Sequence, residues 1–313
     1  MAEVAFLFAG QGAQKVGMGL AYCEFSAGAR RVFETASRSL GYDLAKVVGE
    51  GPDERLARTE ITQPAILAAS LATAAALAEE GVTPDVAAGL SLGEYGALVL
   101  AGSLAEDVAF PLVRDRGRYM QEAVPLGEGG MIAVLGLGAS EVEEIAKACE
   151  GFVAVANYNC PGQVVVAGDL RGLASFRERA GERARRLVDL PVSAPFHCAL
   201  LESAGRALAE RLQDVRLRAP SFPVVANVSA RPMPAEPAEM KDILARQVFQ
   251  PVRFEESLTW MLAQGIDTFI EIGPGSSLGG FVRRLDRAAN IFSTDTVDGF
   301  AEAVSAVGRK TIS

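Results

Sequence analysis

Residues 85–95 are Asp85-Val-Ala-Ala-Gly-Leu-Ser-Leu-Gly-Glu-Tyr95, a short apolar strand followed by a sharp turn and the start of a helix. The segment Gly89-Leu-Ser-Leu-Gly93 fits G-x-S-x-G, in which a serine stands on a tight strand-to-helix turn. The glycines would let strand and helix approach closely, and the Leu92 N–H would point towards an oxyanion formed beside Ser91. The pattern predicts a nucleophilic serine. Plain strand–helix packing is the alternative, because small residues occur in many such turns.

The composition favours a buried parallel sheet that is covered by helices. The chain has 313 residues, enough for one large domain or for a large and a small one. Half of the residues are hydrophobic and only 7% are aromatic, which suits apolar strands buried on both faces. The net charge of -9 opposes binding to nucleic acid. We therefore expect an α/β protein with no nucleic-acid partner.

Targeting and metal-binding signals are not visible in the sequence. No basic region precedes an apolar stretch at the N-terminus, so we expect no signal peptide. The longest apolar run, residues 65–78, is expected to be too short to span a membrane and to form a buried helix. Four scattered cysteines and a single histidine predict a cytoplasmic protein with free thiols and no metal site.

A glycine-containing loop follows the first predicted strand, Val4–Phe8. The loop Ala9-Gly-Gln-Gly-Ala-Gln14 begins like a dinucleotide-binding motif, but Lys15 stands where the third glycine would fall, so we reject a nucleotide cofactor. Loops at the carboxyl ends of neighbouring strands build the sites of open α/β sheets. Gln11 would then face Ser91 and supply a second oxyanion donor; a plain tight turn is the alternative.

Two helices carry further signals. Thr62 is the expected N-cap of the long apolar helix, with Pro64 just inside it. Residues 104–120 form another predicted helix, which carries arginines at positions 114, 116 and 118. Alternate residues cannot share one helical face, so at least one arginine is expected to point away from solvent. A fully solvated set is the alternative. In the helix after Ser91, Glu94 and Tyr95 are interpreted as polar residues that suit a first turn.

Residues 129–195 predict a separate small subdomain. Their strand and helix patterns follow the order βαββαβ, which is a ferredoxin-like unit. The predicted elements are 131–135, 139–149, 153–158, 164–167, 170–180 and 186–190. We therefore expect a large α/β subdomain of residues 1–128 and 196–313, with the small one inserted. Strands are also predicted at 223–228 and 268–273.

His197 is the only histidine in the chain. A lone histidine is often structural, but if Ser91 is a nucleophile then His197 is the natural general base. No acidic residue stands in a motif that marks it as the third member of a catalytic triad with Ser91 and His197. A backbone carbonyl would orient the histidine equally well.

Eight motifs occur along the chain in the order of a known family. They are Phe8-Ala-Gly-Gln-Gly-Ala-Gln14, Thr62-Gln-Pro-Ala65, Gly89-Leu-Ser-Leu-Gly-Glu-Tyr95, Arg116-Gly-Arg-Tyr-Met-Gln-Glu-Ala-Val-Pro125, Asn157-Tyr-Asn-Cys-Pro-Gly-Gln163, Pro191-Val-Ser-Ala-Pro-Phe-His197, Arg246-Gln-Val-Phe-Gln-Pro-Val-Arg253 and Glu271-Ile-Gly-Pro-Gly275. Together they closely resemble malonyl-CoA:acyl-carrier-protein transacylases, the loading enzymes of fatty acid and polyketide synthesis. The resemblance implies an α/β-hydrolase-like large subdomain with a parallel sheet, a ferredoxin-like small one and an active site between them.

The resemblance also implies roles for the catalytic residues. Ser91 would carry the acyl group, and His197 would act first as general base and then as general acid. Gln11 and the backbone amide of Leu92 would form the oxyanion hole. Gln247 stands where the family has a residue whose backbone carbonyl orients the histidine.

Substrate contacts are implied in the same way. Arg116 would bind the free carboxylate of malonate, since a guanidinium matches a carboxylate with two donors. Gln63 is a further expected substrate contact. Phe196 resembles the bulky residue of malonyl-selective members, and a methyl clash there is worth roughly 1–3 kcal/mol. Leu90 departs from the family, which usually has histidine before the serine, so the acyl preference or rate is expected to differ.

The implied partners are malonyl-CoA and an acyl carrier protein, with no cofactor besides the phosphopantetheine on that protein. The carrier is typically acidic, so Arg185 and Arg186 are expected on its docking face; a solvated helix end is the alternative. We expect a monomer. Alternatives in function are an editing thioesterase, a trans-acting polyketide acyltransferase with another extender unit, or a degenerate scaffold, against which the intact site residues argue.

Overall fold

The structure is a computed structural model that describes residues 3–125, 127–192 and 194–310. Ser193, in the motif that ends at His197, and residues 311–313 lie outside the described residues. The strands are β1 (Val4–Phe8), β2 (Val86–Gly89), β3 (Gly129–Leu135), β4 (Val153–Cys160), β5 (Gln163–Asp169), β6 (Arg186–Asp189), β7 (Val224–Val225), β8 (Val252–Arg253), β9 (Thr268–Ile272) and β10 (Asn290–Ser293).

The helices surround two sheets. They are α1 (Tyr22–Phe25), α2 (Ala27–Leu40), α3 (Leu44–Glu50), α4 (Asp53–Leu56), α5 (Thr59–Glu79), α6 (Gly93–Leu100), α7 (Glu106–Glu122), α8 (Ala139–Lys147), α9 (Leu170–Ala180), α10 (Glu202–Gln213), α11 (Pro237–Gln247), α12 (Phe254–Ala263), α13 (Ser277–Leu285) and α14 (Val297–Lys310).

The larger sheet has the strand order β10-β9-β1-β2-β7, and each neighbouring pair is parallel. Every residue of β1 and β2 is buried, as apolar strands with helices on both faces should be. The predicted strand 223–228 is shorter in the structure. The chain turns back after Val225, since the Ala226 amide donates to the Arg231 carbonyl at 2.9 Å.

The smaller sheet has the order β6-β3-β5-β4-β8. The strands β3, β4, β5 and β6 pair antiparallel, and α8 and α9 complete the predicted βαββαβ unit. The predicted fold class is therefore confirmed. Strand β8 belongs to the chain segment after the unit and pairs parallel with β4, so residues on both sides of position 196 build this sheet. The exact subdomain boundaries stay a prediction.

Helix α5 corrects two predictions. Its N-cap is Arg58 and not Thr62, because the amides of Ile61 and Thr62 already bond to the Arg58 carbonyl at 2.7 and 2.8 Å. The hydroxyl of Thr62 lies inside the first turns and donates to the carbonyls of Arg58 and Leu56. With 21 residues the helix is long and apolar enough to cross a membrane, contrary to the prediction, but 83% of its most apolar window is buried. It is the core helix that the sequence led us to expect.

Candidate active site

Ser91 stands at the tip of the turn between β2 and α6 and adopts a left-handed backbone with φ of +52°. The glycines on either side are required by the close approach of strand and helix. A Cβ at Gly89 would lie 1.9 Å from the carbonyl carbon of Gly93, and one at Gly93 would lie 2.2 Å from the Phe8 carbonyl oxygen. The backbone thus presents the serine hydroxyl above the carboxyl end of β2.

His197 contacts Ser91 directly. Its Nε2 lies 2.7 Å from Ser91 Oγ, and its Nδ1 lies 2.7 Å from the backbone carbonyl of Gln247. A carbonyl only accepts, so Nδ1 carries the ring hydrogen and Nε2 is left to accept the serine proton. This is the geometry of an activated nucleophile whose base is oriented by a backbone carbonyl.

The surroundings of His197 keep its imidazole neutral. Burial and, to a smaller extent, the positive charge of Arg116 lower the pKa of His197 to about 3, whereas the hydrogen bond to the Gln247 carbonyl opposes the shift. At neutral pH the ring is therefore unprotonated and able to act as a base.

Arg116 reaches the serine from helix α7 and is almost fully buried. Its Nη1 donates to Gln63 Oε1 at 2.8 Å. Its Nη2 donates to Gln247 Oε1 at 2.9 Å and to Ser91 Oγ at 3.0 Å. The guanidinium carbon lies 5.3 Å from the centre of the Tyr95 ring, within cation–π range. These neutral partners fix the guanidinium beside the nucleophile.

The charge of Arg116 has no ion-pair partner among the described residues. Burial lowers the pKa of its guanidinium, which nevertheless stays charged at physiological pH. A buried cation without a paired anion is costly. A substrate carboxylate beside Ser91 would complete the pair, and the two-pronged guanidinium suits a planar carboxylate.

The neighbouring arginines behave differently. Arg114 and Arg118 are partly exposed and contact Asp115 at 3.1 and 3.8 Å. The expectation that one of the three arginines turns away from solvent is therefore confirmed, and the fully solvated alternative is wrong. Spacing alone did not reveal that the inward residue is Arg116.

The strand-to-helix turn at residues 89–93, called the elbow below, leaves one backbone amide for an oxyanion. The amides of residues 93–95 donate to the carbonyls of residues 90–92, and the Ser91 amide donates to Asn227 Oδ1 at 2.7 Å. The amide of Leu92, just before α6, is not among these donors. It lies where helix N-termini favour developing negative charge.

Gln11 lies on the loop after β1. This loop packs on the elbow so closely that a Cβ at Gly10 would lie 2.6 Å from the Leu90 carbonyl oxygen. The side-chain amide of Gln11 donates to Thr59 Oγ1 at 3.4 Å in this structure and not to Ser91. A role in the oxyanion hole requires the amide to turn from Thr59 towards the substrate.

The remaining predicted residues divide into two groups. Gln63 and Phe196 are buried; Gln63 contacts Arg116, and Phe196 precedes His197 in the chain. Arg185 and Arg186 are exposed where edge strand β6 begins, and the structure brings neither into contact with the serine.

Three functional candidates were missed or misinterpreted at the sequence level. Glu94 and Tyr95 are fully buried and not ordinary first-turn residues, because α6 packs against strands of the large sheet. Asn227 holds the backbone of Ser91. Its place at the end of a predicted strand, where α/β sheets build their sites, was the available signal.

Comparisons with known proteins show which family the chain belongs to. The family model described as the acyl transferase domain matches residues 5–301. The malonyl CoA-acyl carrier protein transacylase of Bacillus subtilis is 44% identical over 92% of each chain. The crystal structure of the transacylase of that name from Clostridium perfringens is 37% identical, covers 99% of each chain and has a TM-score of 0.95. A malonyl-transacylase in complex with a type II PKS acyl-carrier protein is 36% identical and has a TM-score of 0.94, covering 97% of this chain and 100% of that one. The chain therefore belongs to the acyl transferase domain family.

Proposed function

We propose that this chain transfers the malonyl group of malonyl-CoA to the phosphopantetheine thiol of an acyl carrier protein through a malonyl-Ser91 ester. The observation that carries the proposal is the buried guanidinium of Arg116, which lies 3.0 Å from Ser91 Oγ and has no ion-pair partner among the described residues. The names of the relatives, and the relative that is bound to an acyl-carrier protein, support the same reaction and partner.

The first half-reaction acylates the serine. His197 Nε2 takes the proton of Ser91, whose Oγ attacks the thioester carbonyl of malonyl-CoA. The Leu92 amide, and Gln11 once its amide turns, stabilise the oxyanion. His197 returns the proton to the sulfur of coenzyme A as the C–S bond breaks. Arg116 holds the malonyl carboxylate and so fixes the acyl group in a productive pose.

The second half-reaction reverses these steps with a new thiol. The phosphopantetheine thiol gives its proton to His197 and attacks the ester, and the protonated imidazole then returns that proton to Ser91. Transfer requires that water is excluded from the ester. No specific observation favours hydrolysis, for which a carboxylate-binding arginine has less use.

The acyl preference follows from the walls of the site. The buried ring of Phe196 beside the base would crowd an α-methyl group and favour malonyl over methylmalonyl units. We keep Arg185 and Arg186 as carrier-docking residues, since both are exposed cations on an acidic protein. The chemistry uses side chains and backbone groups of this chain alone and needs no resident cofactor. A cytoplasmic monomer completes the proposal, and size-exclusion chromatography would test the oligomeric state.

Replacing the nucleophile tests the proposal. Wild-type protein incubated with malonyl-CoA should gain the mass of one malonyl group, and Ser91→Ala should gain none. Ser103→Ala is the matched control, because that serine donates to the Arg218 carbonyl instead. Adding the carrier protein should discharge the acyl-enzyme faster than water does. Acylation of Ser91→Ala, or discharge at the same rate without the carrier, would refute the assignment.

A further inference from the structure

Each of the four polar atoms of Asn227 forms a hydrogen bond, and three of these bonds are to residues 89–94. It lies just after β7 and is fully buried. Its Oδ1 accepts from the Ser91 amide and its Nδ2 donates to the Gly89 carbonyl, both at 2.7 Å. Its own backbone amide donates to Glu94 Oε2 at 2.6 Å, and its carbonyl accepts from the Arg253 amide at 2.9 Å.

The two side-chain bonds hold the turn on both sides of Leu90. The φ of +52° at Ser91 is unfavourable for a residue with a side chain, by roughly 1–3 kcal/mol. The paired bonds to Gly89 and Ser91 stabilise that conformation because they span it. Since Asn227 takes up the Ser91 amide, that amide cannot serve the oxyanion, which leaves the task to Leu92.

The backbone of Asn227 connects the elbow with the rest of the site. Glu94 belongs to α6, which begins directly after the nucleophile turn. Arg253 belongs to β8, which pairs with β4 of the small sheet. Asn227 therefore connects the turn at Ser91 and helix α6 of the large sheet to strand β8 of the small sheet.

We propose that Asn227 is the positioning residue of the nucleophile: it holds Ser91 in the left-handed conformation that keeps Oγ within 2.7 Å of His197 and leaves the Leu92 amide free. The inference rests on the proposed function only in treating Ser91 as the reacting group. Asn227 itself touches no reacting atom.

Removing the side chain gives the first test. Asn227→Ala should lower kcat for malonyl transfer by about 10- to 100-fold, because a displaced nucleophile loses its alignment. The KM for malonyl-CoA should change by less than about twofold, since Arg116 remains in place. Ser257→Ala is the matched control: it removes one partly buried hydrogen bond, from a buried serine to the Arg253 carbonyl, without touching the elbow. Its kcat should equal that of wild type.

The pH dependence of the activity of Asn227→Asp is a second test, because a merely structural role for Asn227 would not change it. In Asn227→Asp, a protonated carboxyl can accept from Ser91 and donate to Gly89, as the amide does, whereas a carboxylate can only accept. The activity of this variant, divided by that of wild type at each pH, should therefore be greatest at acidic pH and fall as pH rises. A ratio that does not change with pH would overturn the inference.

The rate of Ser91 labelling by a fluorophosphonate separates this inference from the proposed function, because the probe needs no acyl donor. Slower labelling of Asn227→Ala than of wild type and of Ser257→Ala supports the positioning role, even if malonyl-CoA proved not to be the substrate. Equal labelling of all three proteins would refute it. If Asn227→Ala does not fold, the pH-dependent ratio of Asn227→Asp decides the question.

Discussion

The positive charge of Arg116 acts on both Ser91 and His197. Its Nη2 lies 3.0 Å from Ser91 Oγ, where it favours negative charge on the nucleophile. The same charge disfavours a proton on the buried imidazole of His197. Burial has the larger effect on the pKa of His197, and the residue that we assign to substrate recognition adds to that effect before the substrate arrives.

The pH dependence of serine reactivity should show this effect. The pKa of His197 is lowered from 6.5 to about 3 in the folded protein, so lowering the pH through 6.5 should not protonate the base. The rate at which a fluorophosphonate labels Ser91 is followed from about pH 4 to 8. This rate should stay nearly constant as the pH passes through 6.5. Arg116→Ala should move the acidic loss of reactivity to higher pH, because a charge that opposes protonation is removed. The exposed Arg118→Ala is the control, and a wild-type midpoint at 6.5 or above would contradict the account.

At the scale of elements, the strand–turn–helix around Ser91 could be predicted because its requirements are local. A tight turn between a buried strand and a helix needs glycine at both flanks, and the structure shows backbone atoms where side chains would stand. The βαββαβ unit could be predicted for a similar reason, since each element carries its own periodicity. Strand β8 could not, because it has two residues and exists only through its pairing with β4.

The start of α5 shows another limit of local patterns. Thr62 and Pro64 have the residue types of a helix start, yet the helix begins at Thr59. Its first turn is already closed by bonds to the Arg58 carbonyl, and the threonine hydroxyl bonds inside the helix. Residue type predicted a capping function, but the backbone path before the helix decided where it begins.

Alanine substitutions at two glycines should separate close packing from helix propensity. Gly89→Ala would place a Cβ 1.9 Å from backbone of Gly93, so we expect loss of several kcal/mol of stability or failure to fold. Gly280→Ala, inside α13, meets nothing within 4 Å and should raise stability by about 0.5–1 kcal/mol. Urea denaturation would measure both changes. A stable, active Gly89→Ala protein would contradict the described elbow.

At the scale of the molecule, the site joins residues that are far apart in the chain. The Ser91 hydroxyl contacts His197 and Arg116. Gln247 contacts all three residues, because its carbonyl bonds to His197 and its side chain bonds to Arg116 and to the Ser91 carbonyl. Physical reasoning from the sequence pointed to the serine, with plain strand–helix packing as the alternative, and suggested the histidine. The choice of Arg116 among three arginines came from family resemblance, because burial depends on packing that no local pattern encodes.

The buried Glu94 should make the stability of the whole protein depend on pH. Burial raises the pKa of its carboxyl from 4.5 to about 7. Between these values the folded state binds a proton that the unfolded state does not, so this group's contribution to stability is lost as pH rises. Glu94→Gln cannot titrate. The free energy of unfolding of Glu94→Gln minus that of wild type should therefore increase from about pH 4.5 to pH 7. Urea denaturation at each pH would measure this difference. A difference that stays constant over this range would exclude a raised pKa.

The most direct test of the central claim is a competition between acyl donors at the serine. Wild-type protein, Arg116→Ala and the control Arg118→Ala are each incubated with equal amounts of malonyl-CoA and acetyl-CoA, and the acyl-enzyme is identified by intact mass. Wild type and Arg118→Ala should carry malonyl almost exclusively, whereas Arg116→Ala should lose malonyl and gain acetyl in proportion. Equal acetyl and malonyl adducts on wild type, or an unchanged malonyl preference in Arg116→Ala, would contradict the claim that Arg116 recognises the carboxylate of the substrate.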